Sequence, residues 1–246
     1  MATIKLYTYN ILEEGTLTIT GDPDTGYPEA RVCDRSKGFY WKRTASATHT
    51  IHIDQGASDN LDVDLLVVEG HNFNGLAMSW EHSPNDAAWT VAEAWTQSGN
   101  GQIVKELAAA VNRRYWRLVL TSAVSPQCTE VFMSYGYEFN VRFDEQPGGE
   151  DVPNVNWEET YGGYDRADKR GDSRRRRIYS IFHDINMSFG TLANYRAAME
   201  YLDEYSKPFY VKDHEGNHWL ARMENFEEGY ITEGSTERQI ILLEQL

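Results

Sequence analysis

Hydrophobic and polar residues alternate most clearly between Thr48 and Trp89, where three strand-like segments are separated by compact turn signals. Ile51 and Ile53 alternate with a polar set of His49, His52 and Asp54, as a half-buried strand requires, and Gln55-Gly56 stops the pattern. Leu65–Val68 is a short continuous apolar run. It suits a strand covered on both faces, and Glu69-Gly70-His71-Asn72 ends it with residues that tolerate turns. Ala77–Glu81 resumes extended. Tyr115–Leu120 sets Tyr115, Arg117 and Val119 on one face and Trp116, Leu118 and Leu120 on the core face. Glu130–Phe143 places Tyr135, Tyr137 and Phe139 together and is expected to close the sandwich. Upstream, Tyr7–Ile19 reads as a first strand after a short arm, the stretch from Gly21 to Pro28 as a loop, and Trp41 as a structural residue.

The pattern breaks at Glu145–Asn156, EQPGGEDVPNVN, which has two prolines, two adjacent glycines, three acids and almost no apolar periodicity. This divides the chain into a first domain at 1–144, a linker at 145–160 and a smaller second domain at 161–246. In the second domain Arg174–Asn186 reads as a strand. Leu192, Tyr195, Met199 and Leu202 recur at helical spacing behind Thr191 as N-cap, and Pro208 ends the helix. Phe209-Tyr210-Val211 and Trp219-Leu220-Ala221 flank Asp213–Asn217 as a hairpin, with Gly216 available for a positive φ, and Ile231 and Gln239–Leu246 supply closing strands.

The order I-x-I-D-Q-G, D-L-L-V-V-E-G-H-N, M-S-W-E-H-S-P-N-D-A-A-W and then Tyr115–Leu120 resembles the discoidin or galactose-binding-like jelly roll, above all the copies found in phage tail proteins. The resemblance covers Asn10 to Asn140, and Gln55 stands where a Leu is commoner before the Gly. From Tyr161 to Leu246 an Arg-rich strand, one amphipathic helix ending in K-P-F, a hairpin and a final strand resemble the distal and minor tail proteins of long-tailed phages. Together the two resemblances imply a mainly β virion protein of a tail tip or baseplate. Its C-terminal domain would form a ring, expected to be a hexamer, joining tail tube to tip, and its jelly roll would face outward. The implied partners are copies of itself, other tail proteins (tube, hub and fibres) and a host glycan. The implied location is the virion tail tip, after assembly in the host cytoplasm. The rival reading is a free-standing carbohydrate-binding protein.

Composition narrows the field. At 246 residues, 41% hydrophobic and 13% aromatic, the chain can bury ample cores. A net charge of −15 argues against direct nucleic-acid binding or an anionic membrane surface, both of which need a positive field. Ten basic and 17 acidic residues up to Asn140, against 13 and 21 after it, show that neither half is an acidic tail of the other. No stretch approaches the roughly 18 apolar residues of a bilayer span, and MATIKLYTYN lacks a basic region followed by an apolar core, so the chain is expected to begin in the cytoplasm without membrane insertion.

The candidate chemistry is that of binding. Tyr27, Tyr40 and Trp95 are candidates to stack on a sugar face, and His71 and Asn72, after the buried run, to line a loop pocket. Arg174, Arg175, Arg176 and Arg177 are candidate subunit contacts. On a strand they point alternately, so no single surface holds all four, and as an edge they would meet an acidic partner. No nucleotide-binding loop and no nucleophile elbow is present, so the reading is non-catalytic, with no cofactor and no metal. Asp54, Asp59, Asp62 and Asp64 lack the fixed spacing of a calcium loop, and His214 and His218 read as residues of a hairpin turn. Arg170-Gly171-Asp172 is given no role. Cys33 and Cys128 are too few for a disulfide framework, and the choice lies between one bridge and two buried thiols.

Overall fold

In this computed structural model residues 5–21, 24–44, 46–57, 60–138, 143–145, 151–152, 155–159, 165–169, 174–183, 207–213, 215–232 and 235–244 are described. The chain divides into two compact units: Tyr7–Gly136, and Met1–Leu6 with Tyr137–Leu246. The helix predicted over 192–202 lies outside the described residues.

After β1 (Lys5–Tyr7), which pairs in the sheet of the second unit, the first unit takes its elements in this order: α1 (Ile11–Glu14), β2 (Thr16–Ile19), a 3₁₀ turn (Glu29–Cys33), β3 (Trp41–Lys42), β4 (Ser46–Asp54), β5 (Asp62–Glu69), β6 (Ala77–Ser83), β7 (Thr90–Thr96), β8 (Ile103–Asn112), β9 (Tyr115–Val124), β10 (Gln127–Cys128) and β11 (Glu130–Ser134). Five strands form one antiparallel sheet in the order β2-β4-β9-β6-β7, and three form another in the order β11-β5-β8, while β3 and β10 pair as a ribbon. This is the jelly-roll sandwich.

Its core follows from the alternation. Ile51 opposes Leu118 and Ile53 opposes Trp116 across β4 and β9, and Met78 and Trp80 of β6 oppose Leu120 and Leu118. All of these side chains are buried. The continuous run of β5 is the central strand of its sheet, with Leu65–Val68 fully buried as expected of a strand covered on both sides. Trp41, Trp80 and Trp116 are fully buried, and the rings of the last two tilt together at 5.1 Å between centroids. Each such side chain contributes on the order of 1.5–3 kcal/mol by leaving water.

The start of the chain differs from expectation. Of the predicted first strand only its first residue, Tyr7 at the end of β1, and Thr16–Ile19 lie in strands, because Asn10 diverts the backbone between them into a helical turn. Its Oδ1 accepts from the Leu12 and Met133 amides, and its Nδ2 donates to the Val131 carbonyl and to Glu130 Oε1, so this fully buried amide is satisfied on all sides. Beside it Glu130 is buried and accepts from the Arg35 amide at 2.7 Å; burial pushes its pKa well above the usual carboxylate range.

His49 also departs from its expected place on the polar face. It opposes Leu120, is fully buried, and sets Nδ1 3.1 Å from the Thr20 carbonyl. It has the same parity as Ile51 and therefore faces the core. A Cβ on Gly21, where φ is +93°, would lie 2.6 Å from that imidazole, so only glycine fits there.

The predicted closing strand is shorter than expected. The sandwich closes with Glu130–Ser134, Tyr135 is exposed, and β12 (Tyr137–Glu138) pairs with β1 in a different sheet, Lys5 opposite Glu138 and Leu6 opposite Tyr137.

That second sheet continues through β13 (Phe143–Glu145), β14 (Asp151–Val152), β17 (Arg174–His183), β18 (Phe209–Lys212), β19 (His218–Thr232) and β20 (Ser235–Glu244), in the order β12-β1-β18-β19-β20-β17-β13 with β14 also on β17. β15 (Val155–Glu159) and β16 (Asp165–Lys169) pair as a separate ribbon. The predicted hairpin is present. Val211 opposes Trp219, and the turn is held by Asp213, whose Oδ1 accepts from the Glu215 and Asn217 amides, with Gly216 at φ +88°.

Candidate functional site

Two aromatic and cationic surfaces stand out on the Tyr7–Gly136 unit. The first is built by the loop that precedes β3. Gly26 N–H donates to Asp24 Oδ1 and Tyr27 N–H to the Asp24 carbonyl, a tight turn that presents Tyr27. The 3₁₀ turn then carries Arg31, and the chain returns through Phe39 and Tyr40 to Lys42.

This path stacks Tyr27 on Tyr40, with centroids 4.7 Å apart and planes at 24°, and the Tyr40 hydroxyl donates to the Tyr27 hydroxyl at 2.9 Å. The hydrogen bond raises the Tyr40 pKa and leaves the Tyr27 proton free to donate outward. The Arg31 guanidinium lies 5.9 Å from the Tyr27 ring and 5.1 Å from the Phe39 ring, and the Lys42 ammonium 5.7 Å from Tyr27. Phe39 is 57% exposed.

The second surface is the outer face of the five-stranded sheet, where register sets Thr18, His52, Arg117, Glu81 and Val91 in one cross-strand row. Loop residues 84–89 fold onto it, with Asn85 Oδ1 accepting from the Ala87 and Ala88 amides and Asp86 at φ +60°. Trp89 covers the Arg117 guanidinium at 3.8 Å, and Arg117 Nε donates to Glu81 Oε2 at 2.7 Å. His52 lies parallel to Tyr115 at 5.9 Å and edge-on to Trp89 at 5.7 Å. Its Nε2 is 3.2 Å from Asp86 Oδ1, within ion-pair distance but without hydrogen-bond alignment. Arg114 lies 4.7 Å from the Tyr115 ring and forms a bidentate pair with Asp54 at 2.6 and 2.8 Å, which holds the Asp54 carboxyl below its usual range.

Of the five candidate sugar contacts, the structure brings Tyr27 and Tyr40 together and puts the others elsewhere. His71 is buried. Its Nδ1 accepts from the Phe73 amide, so Nε2 carries the proton and donates to the Gly101 carbonyl at 2.7 Å, and burial lowers its pKa. Both nitrogens are thus used within the fold. Asn72 braces two loops, donating to the Ser125 carbonyl and accepting from the Gln127 amide. Trp95 packs against the core from the edge strand β7, with the Lys105 ammonium 4.6 Å from its ring and its Nε1 donating to Gln97.

Arg174–Arg177 do not form an edge. β17 lies between β20 and β13, with Arg174 and Arg175 opposite Val152 and Asp151, and Arg176 and Arg177 opposite Leu243 and Leu242. Each of the four is thus paired on one side, Arg174 and Arg175 by β14 and Arg176 and Arg177 by β20.

Sequence reading missed Phe39, Arg31 and Lys42. Their types carry no pattern, and what singles them out is position in space: Arg31 and Lys42 lie over the Tyr27 ring, and Arg31 also over the Phe39 ring.

Among the described residues no group of three or more His, Cys, Asp or Glu side chains could hold a metal ion. Asp54 is engaged by Arg114, Asp62 accepts from Asn112 and Asp64 from the Gly136 amide; Asp59 and His214 lie outside the described residues. Cys33 and Cys128 are free, buried thiols; burial raises the first to about 12 and the second well above its ordinary value.

No family model matches the sequence, and no curated protein matches it. Among solved structures the chain is similar to chitosan-binding module 1 from a chitosanase/glucanase of Paenibacillus sp. IK-5, at 17% identity over 52% of this chain and 99% of that one, with a TM-score of 0.42. It is similar to the Clostridium perfringens module CpGH89CBM32-5, solved in complex with GalNAc-β-1,3-galactose, at 11% identity over 53% of this chain and 99% of that one, with a TM-score of 0.43. A Ruminococcus gnavus GH29 fucosidase, solved in complex with fucose, is similar at 16% identity over 54% of this chain and 28% of that one, with a TM-score of 0.46.

Proposed function

We propose that the Tyr7–Gly136 unit is a carbohydrate-binding module whose sugar seats on Phe39, Tyr27 and Tyr40. The observation that carries this reading is an exposed Phe39 ring and a stacked tyrosine pair, with one hydroxyl proton free, that share the Arg31 guanidinium. A pyranose offers an apolar C–H face and a rim of hydroxyls. An exposed ring next to directed phenols matches both, because the ring removes apolar surface from water and the phenols fix orientation. Single contacts of this kind are weak and gain strength when several copies act together.

The test is a glycan array probed with the full chain and with Phe39→Ala and Tyr40→Ala. Binding that both substitutions reduce at least tenfold, with unchanged urea midpoints, is expected. No binding, or binding indifferent to both substitutions, overturns the module.

The tail-tip role is a second reading, and it is compatible with the first. It is supported by the unit that contains residues 137–246, where a long Arg-rich strand, a hairpin and a final strand follow one another as β17, β18–β19 and β20. In that role the second unit would assemble as a ring and the module would engage a host glycan. A structure of an assembled tail tests this reading, and a chain found there as a lone appendage overturns it.

A further inference from the structure

The Tyr7–Gly136 unit contains nine Lys and Arg residues. Six have a carboxylate within ion-pair distance: Arg35 with Glu13, Lys37 with Glu69, Arg43 with Glu29, Lys105 with Glu93, Arg114 with Asp54 and Arg117 with Glu81. The remaining three, Arg31, Lys42 and Arg113, have no such partner among the described residues, and Arg113 donates to the adjacent Asn112 carbonyl. The other two converge on the ring of Tyr27.

In a unit this rich in acid a cation readily finds a carboxylate, so two unmatched cations on one aromatic surface mark a place where a negative charge from outside would be stabilised. Arg31 directs Nη1 to the Gly26 carbonyl at 3.2 Å, and its Nε and Nη2 make no hydrogen bond among the described residues. Two neighbouring acids act on this site, and both are turned into their own loops: Asp34 Oδ1 accepts from the Ser36 amide at 3.0 Å and Asp24 Oδ1 from the Gly26 amide.

We infer that the saccharide bound at Phe39, Tyr27 and Tyr40 carries a carboxylate, as uronic and sialic acids do, and that Arg31 and Lys42 receive it. The inference rests on the carbohydrate-binding reading and narrows it. The planar guanidinium offers two parallel N–H groups to a carboxylate, and the flexible ammonium adds a second charge beside Tyr27. Phe39 would support the sugar ring while the Tyr27 hydroxyl donates to a ring substituent.

The experiment is calorimetric titration of the full chain with galacturonate, glucuronate and N-acetylneuraminate oligosaccharides and with neutral oligosaccharides of matched length, at low salt and at about 0.5 M salt. The expected result is binding of at least one carboxylated series and at least tenfold weaker binding of its neutral counterpart. That binding should fall at least tenfold at high salt and in the double variant Arg31→Gln, Lys42→Gln, and stay unchanged in Arg113→Gln. Equal or preferential binding of neutral sugars, abolished by Phe39→Ala, overturns the anionic assignment and leaves the module reading standing. Carboxylate-selective binding that survives the double variant overturns the role of these two cations. Binding of neither class overturns both.

Discussion

The two aromatic surfaces of the jelly roll use the same residue types to opposite ends. On the sheet face each arginine that touches a ring also holds a carboxylate: Arg117 lies between Trp89 and Glu81, and Arg114 between Tyr115 and Asp54. In the loop cluster Arg31 and Lys42 touch rings and hold no carboxylate among the described residues. A network whose donors and acceptors are matched internally gains nothing from a ligand, and its role is to fasten loop residues 84–89 to the sheet. A network with donors left over is stable without a partner only because water serves them, and a ligand can replace that water.

The contrast is first broken by stability. Arg117→Ala strips Glu81, which is largely buried, of its main partner and uncovers Trp89, and should cost about 2 kcal/mol in urea unfolding of the full chain. Arg31→Ala, which leaves no carboxylate behind, should stay within about 0.5 kcal/mol of the parent. Equal costs would erase the distinction.

A second test uses pH. The Glu130 carboxyl titrates above its unfolded value of 4.5, so its contribution to stability is complete below that pH and is lost as pH rises through the folded value. Glu130→Gln should therefore gain on the parent as pH rises from about 4 to about 8. A difference that is flat in pH would show that the carboxyl is not held protonated. The histidines run the other way. His71 and His82 are lowered by burial, so their contribution is present above 6.5 and lost as pH falls below it. The parent-minus-Gln difference separates Glu130 from them.

The smallest effect is at Asp54. Its pair with Arg114 is open to solvent, so Arg114→Gln should leave the urea midpoint unchanged, while NMR titration shows the Asp54 carboxyl returning upward toward its ordinary value of 3.8. An unmoved Asp54 resonance would mean that the bidentate contact does not form in solution.

The central strands were legible because burial imposes a period. The alternation of Tyr115–Leu120 and the unbroken run Leu65–Val68 each describe a strand whose neighbours are also strands, and both are found as read. The edge strand β8 was not legible. In IVKELAAAVN the partly covered face leaves Ala and Lys as acceptable as Val, so no period appears. Asn10 was invisible for a different reason. A buried amide that caps a turn and also bonds to Val131 of β11, far along the chain, has no local signature. In the loop cluster, aromatic residues near turns pointed to Tyr27 and Tyr40. Whether a cation has a carboxylate partner depends on distances across loops, so Arg31 and Lys42 could be recognised only in three dimensions.

The pairing of Lys5 and Leu6 with Glu138 and Tyr137 means that the chain leaves one sheet and rejoins it on the adjacent strand, having built the whole jelly roll in between. In topological terms the module is a cassette set into the mouth of a hairpin. Joining β1 directly to β12 through a two-residue Asn-Gly turn would keep both strands in register, and a different insert could occupy the same mouth. A protein wired in this way can exchange the inserted unit without redesigning the sheet that carries it.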